Sequence, residues 1–497
     1  MLEKLADPSL FARDLLTSRP HLSWTVYDDI TLALDRMTGL DFQAILTAQQ
    51  LLLRALGIWG VFLIAKSLGF TRRLAMFVAA LFSLGTMIAG PQVLTVEYEP
   101  VPRGFAVPLV LCAIGLALWR RWIPAAALAT LAMLYQAPAT APFWIVFAVL
   151  LWRARAWKPA LIPAAGLILL VLSSVWQPGL VLRQPLFSQI SPALADIQRM
   201  RAGYNWVSLW PGSLFVHYAL MLLVAALAIR RLRHRLSPDH SIVFGGLLAV
   251  GVLSVPFSYA TLEVLRWSLI PQFQPARALL FVTSLGIILS AAAGMQAAFE
   301  RHYPECFAWM LVPFLIPIHT VLTPPYVFKD AVLIAALAAA ATGAIAVHVV
   351  APRRAAAALA MAALLAYYAI PLIGGVRNYP ALWNSEIVGL ARWARESTDP
   401  NAVFLFARAG KDLHPGLFRA EARRAVYVDW KGGGQVNYFE DLAMEWWNRW
   451  RDTMLRPASD AELAARGVNY VIVELKDAPS GVSPVYSNAI YTVYKLP

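Results

Sequence analysis

The sequence predicts a polytopic α-helical membrane protein of about 12 spans, followed by a small C-terminal α/β domain. The chain of 497 residues has a mean hydropathy of +0.59, and 59% of its residues are hydrophobic while 14% are charged. A soluble chain of this length needs a more polar composition to cover its surface. Apolar stretches also follow one another along most of the chain, and the loops between them alternate in charge. Together these observations exclude a soluble fold.

Loop charge orients the predicted bundle, because basic loops stay in the cytoplasm. The basic residues of these loops are Lys66, Arg72 and Arg73; Arg120 and Arg121; Arg153, Arg155 and Lys158; Arg230, Arg231, Arg233 and Arg235; Arg301; and Arg353 and Arg354. The intervening loops carry acids among prolines and aromatic residues, namely Glu97, Glu99, Glu263 and Asp330. These loops face outside, which is the periplasm if the protein lies in a bacterial inner membrane. Both ends of the chain fall on that same side.

The apolar stretches divide the chain into an outer arm at 1–44, a helical bundle at 45–374 and a soluble periplasmic domain at 375–497. The predicted spans are 45–69, 72–90, 104–119, 122–136, 140–152, 159–176, 212–229, 241–259, 278–298, 305–322, 328–350 and 355–374. A full crossing needs ~20 residues, so the pair on either side of Gln136 is short. Two shallow crossings or one re-entrant hairpin would both keep the flanking basic clusters in the cytoplasm.

The arm at 1–44 is amphipathic and charged, and it shows no cleavable signal peptide. The charge rule places it outside although no apolar stretch precedes it. Two explanations stay open. Either a first transmembrane helix is missing, through truncation or a late start codon, or the following span drives export of the arm.

The soluble domain is marked by a change from long apolar stretches to short strands and amphipathic helices. Helices are predicted at 383–396 and 436–452, and strands at 402–406, 424–429, 469–474 and 489–494. This alternation is typical of a small α/β layer, and the unit is long enough to bury a core of its own. Both cysteines, Cys112 and Cys306, lie in the bundle, so the domain folds without a disulfide.

The formal net charge of +13 does not indicate a nucleic-acid partner. Much of the excess lies in the cytoplasmic loops, where it sets orientation and meets anionic lipid headgroups. A nucleic-acid-binding protein would instead show a basic soluble domain with interleaved aromatic residues, and the sequence has none. Membrane lipid is therefore the expected partner of these charges.

Asp14 is the first candidate for chemistry. It follows Phe11 and precedes two leucines, which would hold its carboxylate against the bundle on the outer side. A carboxylate in that place can accept the proton of an acceptor hydroxyl as a general base. Helix capping is the alternative for these acids, and it fits Asp7 because Asp7 precedes a proline suited to a first helical position.

The second candidate is the segment from Glu97 to Arg103. Two carboxylates two residues apart on an extended segment point to one side, so Glu97 and Glu99 can hold a divalent cation such as Mg²⁺ or Mn²⁺, or position a hydroxyl. Arg103 begins the next helix and can bind a phosphate with two hydrogen bonds. An ordinary solvated loop is the alternative, and no third metal ligand is evident.

Two further arginines and one glycine run complete the candidates. Arg277 sits at the outer end of an apolar helix, where it is either a phosphate clamp or an anchor that extends to the interface. Arg54 lies deeper within a span, and an ionisable residue there is a site candidate by default. The run Gly432–Gly434 is interpreted as a tight turn, since it lacks the spacing of a phosphate-binding loop.

These pieces together resemble the GT-C superfamily of integral membrane glycosyltransferases. If a first helix is restored, Asp14 occupies the place of the catalytic acid of the first outer loop. Glu97 and Glu99 then fall after the third span, where oligosaccharyltransferases carry a second acidic motif. The sequence departs from the family pattern in two ways. The usual Asp-Glu pair directly after the first helix is not present, and the second motif is Glu-x-Glu.

The resemblance implies an enzyme that moves a sugar from a polyprenyl-phosphate donor to an acceptor on the periplasmic side. Asp14 would be the base, and Arg103 and Arg277 would offset charge that develops on the leaving phosphate. Two other classes stay open. A non-catalytic scaffold for envelope polysaccharide assembly would bind envelope-assembly proteins. A transporter would need acids or broken helices at the bilayer midplane, whereas these acids lie at the outer rim.

Overall fold

The computed structural model describes residues 1–18, 24–83, 85–97, 99–176, 188–315, 383–456 and 458–497. The spans predicted at 328–350 and 355–374 lie outside these residues, as do Asp330, Arg353 and Arg354. The span predicted at 305–322 is described only as far as 315, and the boundary predicted at 374–375 also lies outside. The fold below is that of the described residues.

Two helices form the N-terminal arm, α1 (Leu2–Ala6) and α2 (Tyr27–Thr38). Gly39 ends α2 with φ of +66°, a left-handed conformation that glycine adopts at little cost. Asp41 then caps the next helix by accepting a hydrogen bond from the backbone N–H of Ala44.

Apolar helices make up the bundle: α3 (Phe42–Ser67), α4 (Arg72–Ser83), α5 (Pro102–Leu118), α6 (Trp122–Ala154), α7 (Leu161–Trp176), α8 (Pro192–Arg201), α9 (Gly212–Arg231), α10 (Pro238–Ser258), α11 (Ile270–Phe273), α12 (Leu279–Phe299) and α13 (Tyr303–Leu315). Five stretches of the described chain are long and apolar enough to cross a membrane. They are Phe42–Ser67, Trp122–Ala154, Gly212–Arg231, Pro238–Val264 and Ile270–Phe299. The protein is therefore a multi-pass membrane protein.

Helix α4 is shorter than the span predicted at 72–90. It ends at Ser83, and the chain continues into a two-stranded antiparallel hairpin of β1 (Met87–Ile88) and β2 (Val93–Leu94). Twelve helical residues rise about 18 Å, which is less than the hydrocarbon core of a bilayer. The hairpin leads directly into the segment that carries Glu97 and Glu99.

Helix α6 is interrupted at Gln136, where the backbone adopts φ of −159° and ψ of 99°. The break divides α6 into two segments at the position where the sequence predicts a split. The carbonyls of Leu134 and Tyr135, just before the break, accept hydrogen bonds from the N-terminal arm. Val26 N–H donates to Leu134 O at 2.9 Å, and Thr25 Oγ1 donates to Tyr135 O at 2.7 Å. The arm thus satisfies backbone groups that a bilayer cannot satisfy.

Contacts between basic loops show that these loops meet at one end of the bundle. The pairs are Arg120 with Asp239 (2.7 Å), Ser67 with His240 (2.9 Å), Arg235 with Gln296 (2.5 Å) and Arg231 with Glu305 (2.6 Å). The acidic segment at 97–99, the break at Gln136 and the soluble domain lie at the other end, hereafter the outer end. This division agrees with the alternation of loop charge.

A five-stranded sheet forms the centre of the soluble domain, in the order β4-β3-β5-β7-β6. Its strands are β3 (Val403–Phe406), β4 (Ala425–Val426), β5 (Tyr470–Glu474), β6 (Tyr486–Ser487) and β7 (Tyr491–Lys495). The pairs β3–β4 and β3–β5 are parallel, and β5–β7 and β6–β7 are antiparallel. Four α-helices accompany the sheet: Ser385–Ser397, His414–Ala422, Glu440–Trp450 and Asp460–Ala465. Both predicted helices and all four predicted strands are present, but the strand predicted at 424–429 is only Ala425–Val426 and the helix predicted at 436–452 begins at Glu440. Strand β6 and the helices His414–Ala422 and Asp460–Ala465 were not predicted.

The soluble domain rests on the outer loops of the bundle through a shared apolar core. Leu194 and Trp206 of the loop at 188–210 pack in one cluster with Val403 and Trp446 of the domain. A polar contact also joins the loop to the domain, since Gln198 Nε2 donates to Val436 O at 2.9 Å. Burial of large apolar side chains holds the domain in one orientation over the outer end.

Close packing of α3 against α5 generates a test of the bundle. A Cβ atom at Gly60 would lie 2.4 Å from the backbone nitrogen of Cys112, so any side chain forces the two helices apart. We expect Gly60→Ala to cost about 1–3 kcal/mol and to lower the melting temperature of the purified protein. Gly245→Ala is the matched control, because a Cβ atom there meets nothing within 4 Å. Equal melting temperatures for both variants would refute this packing.

Candidate functional site

A recess, hereafter the cavity, opens at the outer end of the bundle; the space between its walls is about 350 Å³ and includes open solvent. Arg103 and Arg277 line it, together with the broken part of α6 at Gln136 and Pro138. Most of its remaining wall is apolar, with residues such as Val107, Leu280 and Phe281. The structure thus brings together two arginines that lie 174 positions apart in the sequence. Cationic side chains in an apolar recess are chemically suited to an anionic ligand.

Arg103 is held in place by Glu97. Its Nε atom donates to Glu97 Oε1 at 2.5 Å, and the backbone N–H of Leu94 donates to the same oxygen at 3.2 Å. The Glu97 side chain is 5% exposed and the Arg103 side chain 19%. Glu97 is therefore neither an open base nor a free metal ligand; its carboxylate orients Arg103 and balances one positive charge.

The backbone carbonyl of Glu97 has a separate set of donors. Arg54 and Gln50, one turn apart on α3, both donate to it. A buried Arg54 Nε has no acceptor among the residues that the structure describes. Arg54 thus holds the backbone of the Glu97 segment, while Arg103 lines the cavity.

Arg277 owes its position to a short irregular connection before α12. Gln274 has φ of +51°, and Pro275–Ala278 forms a 3-10 turn that presents Arg277 at the cavity wall. Its buried Nε has no hydrogen-bond acceptor in the described part of the chain. A buried donor without a partner is costly, so this atom marks where a ligand oxygen would be bound.

Tyr204 and Tyr438 approach the arginines from the side of the soluble domain. Both lie close enough to Arg277 to interact with its charge. Asn437 Nδ2 donates to the Tyr204 hydroxyl at 3.3 Å, which links the loop at 202–206 to the segment before Tyr438. Sequence patterns did not identify these two tyrosines, because neither lies in a motif or at a helix end that marks a site.

Glu99 is not part of the cavity lining, and it lies near Arg103 at the rim, close enough to interact with the charge of Arg103. Its carboxylate oxygen Oε1 accepts from Lys431 Nζ at 2.9 Å, and the Glu99 side chain is 37% exposed. Glu97 and Glu99 are thus bound by different cations and do not converge. Among the described residues, no group of three or more metal-ligand side chains could hold a metal ion. The divalent cation at Glu97 and Glu99 stays a prediction, and these side-chain positions do not favour it.

The structure places Asp14 in a different environment from the one expected. Its side chain is 0% exposed, and it lies between the arm and the soluble domain. Oδ2 accepts from Arg419 Nε at 2.6 Å and from the backbone N–H of Val426 at 2.9 Å, while Oδ1 accepts from Leu16 N–H at 2.9 Å. An acceptor hydroxyl could reach this carboxylate only if the domain moved away. The base role of Asp14 stays a prediction, and Asp14 does not line the cavity that holds Arg103 and Arg277.

Arg419 is bound by a second carboxylate as well. Its NH2 atom donates to Asp429 Oδ1 at 2.9 Å, and its side chain is 8% exposed. Burial disfavours the charged guanidinium, but the carboxylates of Asp14 and Asp429 outweigh burial and raise the pKa of Arg419. The group therefore remains charged and ties the arm to the segment that follows β4.

Comparisons with known proteins add a family match and two similar structures. Residues 385–453 match a family model described as a domain of unknown function (DUF6798). No curated protein sequence matches the chain. ArnT from Cupriavidus metallidurans in the apo state is similar at 15% identity and a TM-score of 0.48, covering 99% of this chain and 91% of that one. The arabinofuranosyltransferase AftD from mycobacteria is similar at 15% identity and 0.40, covering 94% of this chain and 35% of AftD.

The TM-scores of both structures lie below 0.5, so neither likeness assigns an activity to this chain.

The Asp14–Arg419–Asp429 cluster predicts a large stability effect. We expect Arg419→Gln to cost about 3–5 kcal/mol, because it leaves two buried carboxylates without a counter-charge. Arg423→Gln is the control, since Arg423 pairs with Glu3 in a half-exposed ion pair worth about 0–1 kcal/mol. Thermal unfolding and hydrogen exchange of residues 2–18 measure the difference. If Arg419→Gln behaves as Arg423→Gln does, the cluster does not anchor the arm.

Proposed function

We propose that this protein is a membrane glycosyltransferase that moves a sugar from a polyprenyl-phosphate donor to an acceptor on the periplasmic side of a bacterial inner membrane. The observation that carries the proposal is the pair Arg103 and Arg277 in one apolar cavity at the outer end. Their only described carboxylate neighbour in contact, Glu97, is already bound to Arg103. The cavity therefore has an unbalanced positive charge suited to a phosphate.

The position of the cavity suits a donor that is held in the membrane. The broken helix α6 contributes Gln136, Pro138 and Pro142 to its wall, and α12 contributes Leu280 and Phe281. A polyprenyl chain would lie among such apolar surfaces while its phosphate reached Arg103 and Arg277. A soluble sugar nucleotide has no long apolar chain to bury against this wall.

The chemistry follows from these positions. The acceptor hydroxyl oxygen attacks the anomeric carbon of the sugar, and the bond from that carbon to the phosphate oxygen breaks. The electron pair passes to the leaving polyprenyl phosphate, where Arg103 and Arg277 stabilise the additional negative charge. The proton of the hydroxyl passes to a carboxylate.

Glu99 is the carboxylate that we assign to this proton, in place of Asp14. Glu99 lies at the rim and is partly exposed, whereas all three described contacts of Asp14 enclose its carboxylate within the protein. Lys431 holds Glu99 without burying it. A general base must be reached by the hydroxyl that it deprotonates, and this requirement favours Glu99.

Loss of the cavity cations tests the donor site. We expect Arg277→Gln and Arg103→Gln each to reduce transfer from polyprenyl-phosphate sugars by roughly 10–100-fold, because each removes a charge-assisted contact to phosphate. Arg266→Gln is the control, since Arg266 is an exposed arginine near the same end of the bundle. The assay uses purified protein with a panel of lipid-linked sugars. Wild-type protein that is inactive with every donor would support the scaffold alternative.

Two substitutions distinguish the candidate bases. We expect Glu99→Gln to lower turnover by about 100-fold or more with an unchanged melting temperature, as loss of a general base does. Asp14→Asn should lower the melting temperature instead, because it weakens the contact with Arg419. Lys431→Gln is the control, since it removes the ion pair of Glu99 but keeps the proton acceptor. Loss of turnover in a fully stable Asp14→Asn protein would restore the base role to Asp14.

A further inference from the structure

A second group of cations surrounds the indole ring of Trp430, outside the cavity. The guanidinium carbon of Arg201 lies 4.5 Å from the ring centroid, and Lys411 Nζ lies 4.9 Å from the same centroid. Two positive charges are thus held on one side chain. We propose that Arg201 and Lys411 bind an anionic group, a phosphate or carboxylate, carried by the sugar acceptor.

The fixed position of Arg201 is the first observation for this site. Its Nε donates to Trp430 O at 3.0 Å. Its side chain also lies against the glycine run, because a Cβ atom at Gly433 would stand 2.8 Å from Arg201 Nε. Glycine at this position therefore permits the close approach. Within the described chain, the two terminal nitrogens of Arg201 have no acceptor, so they are available to a ligand.

The acids near Trp430 are all bound to other groups. Asp429 binds Arg419 and the N–H of Gly432. Asp412 binds His414 Nδ1 at 2.8 Å, and Glu99 binds Lys431. No carboxylate of the described residues forms an ion pair with Arg201 or Lys411. The charge of Asp429 acts on Arg201 without a direct ion pair, and no described carboxylate neutralises Arg201 or Lys411 by contact; cations in this state favour the binding of an anion.

The location identifies the acceptor as the source of that anion. Lys431 follows Trp430 directly and contacts Glu99 at the cavity rim, and Tyr438 at the end of the same segment lies near Arg277. The Trp430 ring packs against Trp446 and Trp450, with ring centroids at 6.0 Å and 5.2 Å. A molecule that reaches Glu99 from the periplasm would pass this group. The assignment to an acceptor rests on the proposed function, whereas anion binding itself does not.

The test measures binding of glucose 1-phosphate and glucuronate to the purified full chain in neutral detergent, with glucose as the uncharged comparison. An Arg277→Gln background removes the cavity as a competing anion site. In that background we expect both anions to bind and glucose not to bind. Lys411→Gln and Arg201→Gln should each weaken anion binding about tenfold, as loss of a charge-assisted hydrogen bond does.

Lys476→Gln is the matched control, because Lys476 is an exposed lysine of the same domain paired with Glu474. Lys411 is exposed, so Lys411→Gln keeps the fold even if Arg201→Gln does not. Unchanged binding in Lys411→Gln would overturn the proposal. A second result would also overturn the proposal: glucose 1-phosphate binds in phosphatidylcholine nanodiscs but not in phosphatidylglycerol nanodiscs. This result would identify a lipid headgroup as the occupant of the site. The binding assay contains no sugar donor, so its result does not depend on glycosyl transfer. Absence of transfer activity in the separate transfer assay would refute the proposed glycosyltransferase function and not the anion site.

Discussion

The guanidinium of Arg419 is the interaction on which the outer half of the molecule depends. It binds Asp14 from the arm and Asp429 from the segment after β4, and both carboxylates are enclosed. Asp429 in turn accepts from Gly432 N–H, and its carbonyl accepts from Trp446 Nε1 at 2.9 Å. The position of one charge therefore fixes the arm and the loop that carries Lys431. A buried ion pair gives little net stability, but it penalises every arrangement that separates its members.

One glutamate, Glu97, contacts two arginines beside the cavity through two different groups. The Glu97 carboxylate orients Arg103, and the Glu97 carbonyl receives Arg54 and Gln50. Substitution of Glu97 would therefore release Arg103 but leave the carbonyl acceptor of Arg54 in place. The intact site has a single unbalanced arginine, Arg277, facing an apolar wall. Such a site favours a ligand that combines a charged headgroup with an apolar chain, because the headgroup alone or the chain alone would match only part of the cavity surface.

Sequence patterns located the elements that depend on local periodicity. The strands at 403–406 and 470–474 and the helix at 385–397 follow from alternation and amphipathicity. Loop charge also placed Arg103 and Arg277 at the same end of the bundle. The role of Asp14 did not follow, because its partner Arg419 lies 405 positions away. Tyr204, Tyr438 and Lys431 were missed for the same reason, since their proximity depends on how the soluble domain sits on the loop at 188–210.

The break in α6 has a consequence for the order in which the protein is built. Its carbonyls at Leu134 and Tyr135 are satisfied by Val26 and Thr25, which the ribosome makes more than a hundred residues earlier. The arm must therefore already be available at the break when α6 leaves the insertion machinery. Translation in this direction provides the donors before the acceptors need them. A chain whose arm reached this place late would leave a broken helix in lipid, exposed to quality-control proteases.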